Sequence, residues 1–209
     1  MKRTRVIVAD DHPMMLDGIQ SFLKPHFADL MTVTDGHALV AAAMEWKPDL
    51  IVLDITMPRL NGIDAAIQIR KRLPRMKFVF VTMHANPAYL EAALKAGATG
   101  YVLKSSIAGE IMQAVRTVLA GGIYVTPGIS TGHLESFPRP EAAATTFHLS
   151  VRERQTLQLV AEGKAAKEIA FLMGVSVKTV GFHRENIKRK LGLKSTAELT
   201  RYALTQGLI

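Results

Sequence analysis

Apolar and polar positions follow two rhythms along the first 120 residues. Short unbroken apolar runs stand at Val6–Ala9, Leu50–Asp54, Lys77–Thr82 and Gly100–Leu103, with a weaker one at Leu30–Thr34. Runs of this length suit strands buried on both faces. Between them, apolar residues recur at helical spacing. Residues 13–23 bring Met14, Met15, Ile19, Phe22 and Leu23 close to one face, and the Ala-rich stretch 37–46 ends before Pro48. A helix over about 63–73 stops before Pro74, and one over 87–96 is closed by Gly97. Ile107, Ile111, Ala114, Val115 and Val118 form the stripe of a further helix. Strand–helix units in such succession predict a doubly wound parallel sheet with helices on both faces and right-handed crossovers, an α/β fold with (βα)5 topology.

From Gly121 to about Phe147 both rhythms fail. Gly121, Gly122, Pro127, Gly128, Gly132, Pro138 and Pro140 fall here, so the segment reads as a linker. Only helical periods follow. Ser150 with Glu153 makes a capping box for a helix reaching Glu162, ended by Gly163. A second helix, about Ala165–Met173, is closed by Gly174. Ser176 caps a third that runs to about Leu191, and Ser195 opens a fourth, to about Gln206. Two helices joined by the tight Gly174-Val175 turn have helix-turn-helix spacing. The expected domains are therefore residues 1–120, a linker over 121–146, and an all-α four-helix unit over 147–209.

Charge sharpens this division. The chain of 209 residues carries a net +8, with +2 on residues 1–144 and +6 on 145–209. A small basic helical unit beside a near-neutral larger one points to nucleic acid as a partner. Cysteine is absent, which excludes disulfides and thiol catalysis. The basic start, Met1-Lys-Arg-Thr-Arg, leads into an apolar run of only Val6–Ala9 before two aspartates, too short for a secretory core. No run nears the ~18 apolar residues of a membrane span. A cytoplasmic protein without membrane attachment is expected.

The candidate chemistry lies at strand ends. Asp54 stands where an apolar run stops, ahead of a turn marked by Pro58 and Asn61-Gly62. In open parallel sheets, ligands gather outside the carboxyl ends of strands. Asp54 is thus a candidate nucleophile or metal ligand, the alternative being a carboxylate that caps the next turn. Asp10 and Asp11 follow the first strand directly. Adjacent first and third strands would bring three carboxylates together, and like charges so placed raise each other's pKa. A hard cation such as Mg2+ relieves that repulsion and suits phosphoryl chemistry. Lys104 after the fifth strand and Thr82 at the end of the fourth reach the same edge. His12 reads as a helix-start residue rather than a metal ligand, and His84 as a surface histidine.

These residues resemble the receiver domain of two-component response regulators, a flavodoxin-like (CheY-like) fold. The resemblance rests on Asp10-Asp11, Asp54 with Met57-Pro58 and Asn61-Gly62, Thr82, and Tyr101 before Lys104, over about residues 3–120. It implies that Asp54 accepts a phosphoryl group from a sensor histidine kinase. Asp11, Asp54 and the Thr56 carbonyl would then ligate Mg2+, with Asp10 acting largely through water. Lys104 would pair with the acyl phosphate, and Thr82 and Tyr101 would move together as a switch. The physics agrees, because a carboxylate is a weak nucleophile that needs positioning and charge neutralisation.

In the C-terminal unit, Val177, Val180, Ile187 and Leu191 share the expected core face of the third helix, with Lys178, Phe182, Glu185 and Arg189 opposite. Leu149-Ser-Val-Arg-Glu153, Gly163, Glu168-Ile-Ala170, Val175-Ser176, Thr179-Val180, His183 and Ile187 to Leu191 resemble the LuxR-type helix-turn-helix of NarL/FixJ-type regulators. The resemblance implies a helix in the major groove of double-stranded DNA. By that resemblance Lys178, Thr179, His183, Arg184, Lys188 and Arg189 would be its phosphate or groove contacts. Phe182 is placed to touch a thymine methyl or to pack on a partner helix. Gly181 departs from the pattern, standing where many relatives carry a long side chain. Phosphorylation would release a restraint by the receiver and favour a homodimer, with the last helix as its surface. Two other readings stand beside this one. The first is a phosphorylation-independent regulator whose receiver serves only protein contacts. The second is an aspartyl-phosphate phosphatase, for which Thr56 stands where an acid/base carboxylate is needed.

Overall fold

A computed structural model describes residues 4–83, 85, 87–127, 129, 149–205 and 208. Its sheet is built from β1 (Arg5–Ala9), β2 (Asp29–Val33), β3 (Leu50–Asp54), β4 (Lys77–Thr82), β5 (Gly100–Leu103) and β6 (Tyr124–Val125). They lie in the order β2-β1-β3-β4-β5-β6, every pair parallel. β1 and β3 are neighbours, the adjacency that the acidic residues require. Helices α1 (Pro13–Leu23) and α5 (Ile107–Leu119) pack on one face, and α2 (Gly36–Trp46), α3 (Gly62–Arg72) and α4 (Pro87–Ala96) on the other. Residues of β3 and β4 point alternately into the two cores, so both strands are apolar almost throughout.

The sixth strand lies inside the segment that the sequence reads as linker. It is two residues long and sits among glycines and prolines, so it leaves no apolar run to detect. Its pairing with β5 covers what would otherwise be a sheet edge. Most of the remaining linker, and His84, lie outside the described residues.

The C-terminal helices are α6 (Val151–Ala161), α7 (Ala166–Met173), α8 (Val177–Leu191) and α9 (Thr196–Thr205). The capping box expected at α6 is present, with Ser150 Oγ accepting from Glu153 N and Glu153 Oε2 accepting from Ser150 N. Gly174 ends α7 in the left-handed region (φ 64°), and Ser176 caps α8 by accepting from Thr179 N. Leu157, Ile169, Val180, Ile187, Leu199 and Ala203 form this unit's own core. Val180 and Ile187 are fully buried as expected, but Val177 is half-exposed because it opens the first turn of α8, beyond the reach of that core. Met14, at helical spacing in the sequence, is likewise exposed. Among the described residues, no helix is long and apolar enough to cross a membrane.

Asn61 and Gly62 hold the corner between β3 and α3. The Asn61 side chain accepts from Asp64 N at 2.9 Å, and Gly62 N donates to Ile55 O at 2.8 Å. A Cβ on Gly62 would lie 1.9 Å from the backbone oxygen of Asp54, so only glycine lets α3 start this close to the strand end. Gly62→Ala is therefore expected to cost about 2 kcal/mol or more in urea unfolding. Native-like stability would mean that this corner yields freely.

Candidate functional site

The sheet order turns the scattered strand-end residues into one cluster. Asp10 and Asp54 follow the adjacent strands β1 and β3 and are almost fully buried. Lys104, in a 3-10 turn (Lys104–Ser106) directly after β5, places Nζ 2.7 Å from Oδ2 of each. Asp11 lies beside them, a third exposed. Oδ2 of Asp10 and Oδ1 of Asp11 are both buried, the first against the Lys104 ammonium and the second beside the His12 ring. Carboxylates gathered in this way suit a hard divalent cation held by oxygen ligands. Ligand atoms of Asp10, Asp11, His12 and Asp54 all lie within 4.8 Å of one another.

His12 does more than start a helix. It stands at the N-cap of α1 without a side-chain cap bond, and its Nδ1 lies 2.9 Å from Asp11 Oδ1 and 3.1 Å from Asp10 Oδ1. Thr56 faces the cluster through its backbone, its N–H donating to Asp54 Oδ1 at 3.3 Å. Thr82 is buried at the end of β4 and shares a hydrogen bond with the Tyr101 phenol. Tyr101 lies in the core, and burial raises its pKa.

Burial pushes the Asp54 carboxyl up to about 6, and the negative charge of Asp10 adds to this. Lys104 and the Thr56 N–H pull the other way. For Lys104, burial favours loss of the proton, but Asp54 and Asp10 outweigh it and leave its pKa raised. At neutral pH the cluster is a carboxylate beside a fixed ammonium. That arrangement can accept an electrophile rich in anionic oxygens once their charge is offset.

The second candidate site is α8. Lys178, Phe182, Glu185 and Arg189 lie exposed on its outer face, with Thr179, His183, Arg184 and Lys188 half-buried at its flanks. Arg184 donates to Thr196 Oγ1, Lys188 pairs with Glu185, and Arg189 donates to Asn186. A Cβ on Gly181 would meet nothing within 4 Å, so the helix surface beside Phe182 is open.

Sequence reasoning missed the surface between the two units. Arg154 of α6 forms a buried bidentate ion pair with Asp64 of α3, Nε lying 2.9 and 3.1 Å from the two oxygens. Gln158 donates to the Met57 carbonyl at 2.7 Å and accepts from Asn61 N at 3.0 Å. Glu162 accepts from Arg59 N, and Gln155 meets His37 at 2.8 Å. Arg59 itself has a left-handed backbone (φ 66°), and its guanidinium pairs with Asp35. Most of these contacts fall on the loop between β3 and α3, directly after Asp54. None of the hydrogen bonds between the two units among the described residues comes from α8. The one sequence signal is the spacing of Arg154, Gln158 and Glu162 four residues apart, which looks the same as a solvated helix face.

Comparison with known proteins agrees with this division. The model of the response regulator receiver domain matches residues 6–116, and that of the LuxR family of bacterial regulatory proteins matches 148–203. The transcriptional regulatory protein MctR of Rhizobium johnstonii is 35% identical over 99% of this chain and 96% of its own. The oxygen regulatory protein NreC of Staphylococcus aureus is 36% identical over 98% and 99%. Among solved structures, the response regulator RcsB of Salmonella typhimurium, described for its conformational dynamism in DNA interaction, matches with a TM-score of 0.64. It is 28% identical and covers 98% of both chains.

The raised Asp54 pKa has a direct consequence for stability. The fold binds the Asp54 proton more tightly than the unfolded chain does. The resulting stabilisation is full below the ordinary carboxylate range and is lost as pH rises through about 6. Without divalent cations, Asp54→Asn is expected to be more stable than the native chain at pH 7 by up to about 3 kcal/mol. Urea unfolding in EDTA checks this, the two stability curves converging at low pH, parting as pH rises from the ordinary carboxylate range to about 6, and staying a constant distance apart above it.

Proposed function

This chain belongs to the two-component response regulators of the NarL/FixJ type, and from that premise we propose that a sensor histidine kinase phosphorylates it on Asp54 to control how it binds DNA. The observation that carries the reading is the Lys104 ammonium held 2.7 Å from Oδ2 of both Asp10 and Asp54, with Asp11 completing a close cluster of carboxylates that suits a hard cation. Mg2+ held by Asp10, Asp11, Asp54 and the Thr56 carbonyl would supply charge neutralisation for the phosphoryl oxygens. An Asp54 carboxylate oxygen attacks phosphorus in line, the phosphohistidine nitrogen leaves, and an acyl phosphate results. Lys104 then pairs with a phosphoryl oxygen in place of a carboxylate. The Thr82 hydroxyl exchanges Tyr101 for another phosphoryl oxygen, which frees the phenol to change rotamer.

The output is transcriptional. α8 enters the major groove of double-stranded DNA, with Lys178, Thr179, His183, Arg184, Lys188 and Arg189 on phosphates or groove edges and Phe182 facing bases. RcsB, one of the structural relatives, supports DNA as partner through its described DNA interaction. The restraint in the unphosphorylated state is the hold of the β3–α3 loop on α6, and α8 keeps its outer face clear. Release of α6 lets two copies pair on DNA as a homodimer, with α9 and its exposed Leu204 as the pairing surface. The division into receiver (1–120), linker (121–146) and DNA-binding unit (147–209) and a cytoplasmic place of action go with this reading. The relatives are named as regulatory proteins, which leaves the phosphatase alternative without support.

Acetyl phosphate with Mg2+ is expected to add one phosphoryl group to the native chain by intact-mass measurement and none to Asp54→Asn. Full labelling of that variant would remove Asp54 from the role. Arg154→Ala and Asp64→Ala are each expected to raise the DNA affinity of the unphosphorylated chain by about tenfold, read by fluorescence anisotropy. Unchanged affinity in both would mean that the α6 contacts restrain nothing. Lys178→Ala is expected to weaken binding to any duplex and to lower the slope of log affinity against log salt by about one.

A further inference from the structure

Thr126 lies outside both family-model matches, between β6 and the rest of the connecting segment. It is nevertheless buried, and its hydroxyl is used twice. Oγ1 accepts the Leu103 N–H at 3.0 Å and donates to Glu110 Oε2, in the first turn of α5, at 2.6 Å. Its own N–H donates to Tyr101 O at 2.9 Å. Glu110 also shares a hydrogen bond with the Tyr124 hydroxyl, so its carboxylate gathers two residues of the connector. Val125 is in register with Tyr101, and Ile129 is buried in the core that holds Tyr101.

Leu103 is the residue before Lys104. The 3-10 turn that starts at Lys104 has no side-chain cap of its own. The corner where β5 ends is therefore held from outside, by the Thr126 hydroxyl. The lysine stem begins one peptide further on, and its ammonium must meet Asp54 and Asp10 at 2.7 Å together. A shift of an ångström at the corner would move Nζ off one of them, and misplacement on this scale is costly in group transfer.

We propose that Thr126 is a positioning residue for Lys104. Its hydroxyl, oriented by Glu110, fixes the end of β5 so that the ammonium meets the phosphoacceptor, and it ties that ammonium to the connector strand β6. The proposal rests on Asp54 being the phosphoacceptor. On this reading the connector contributes a residue that supports the phosphorylation site.

The test is the rate of Asp54 labelling by acetyl phosphate with Mg2+ in the full chain, resolved into a maximal rate and a donor-saturation constant. Thr126→Val keeps the shape and removes the hydroxyl. It is expected to lower the maximal rate about tenfold and leave the saturation constant within about twofold. Thr126→Ser, which restores the hydroxyl, is expected to return the rate to within about threefold of native. A packing role alone would not give that rescue. Native-rate labelling of Thr126→Val overturns the proposal, as does a loss in Thr126→Ser equal to that in Thr126→Val. Should Thr126→Val fail to fold in a thermal melt, Glu110→Leu serves in its place. It leaves Thr126 intact without its acceptor, and an unchanged rate there overturns the proposal equally. A native chain that takes no label at Asp54 overturns the phosphoacceptor reading and this proposal with it, whereas native-rate labelling of Thr126→Val overturns this proposal alone.

Discussion

One ammonium between two buried carboxylates sets the terms for the rest of the receiver. Asp10 and Asp54 stand on adjacent strands in a site shielded from water, where their repulsion is poorly screened. Lys104 offsets part of it, and with Asp11 nearby the cluster keeps a negative balance that favours a cation. The arrangement exists because β1 and β3 are neighbours and β5 lies two strands from β3, near enough for a long side chain to reach back. The fold's contribution is to bring four strand ends to one edge, and the chemistry follows from which residues stand there.

The loop after Asp54 then serves two surfaces. Its far end is pinned by Gly62 against the Asp54 backbone, and its middle is turned by Arg59 in a left-handed conformation. From that loop, Met57 O and the N–H groups of Arg59 and Asn61 point at α6. A change in charge at Asp54 therefore acts on a segment whose other side already touches the DNA-binding unit. On the proposed reading, the path from input to output through this loop is a few residues long.

The strand ends were legible because an apolar run that stops at an aspartate, threonine or lysine marks both the element and its edge. Asp10, Asp54, Thr82 and Lys104 could be placed by that rule alone, and the helices of the C-terminal unit by caps such as Ser150, Ser176 and Gly174. The contacts of α6 were not legible. Arg154, Gln158 and Glu162 are residues that water would accept as readily as Asp64 and Asn61 do, and nothing in their spacing says which will meet them. Thr126 was hidden for a related reason, since a two-residue strand has no period. His12 was undervalued because its partners are the carboxylates just before it in sequence, where a helix-start role already accounts for it.

The surface joining α6 to the receiver includes a buried ion pair, amide hydrogen bonds and backbone groups. Groups of this kind give a contact its register more than its strength. When such contacts part, the ion pair, the amides and the backbone groups can each be rehydrated. On the proposed reading each parting is therefore reversible, since water can take the place of every partner that these polar groups give up.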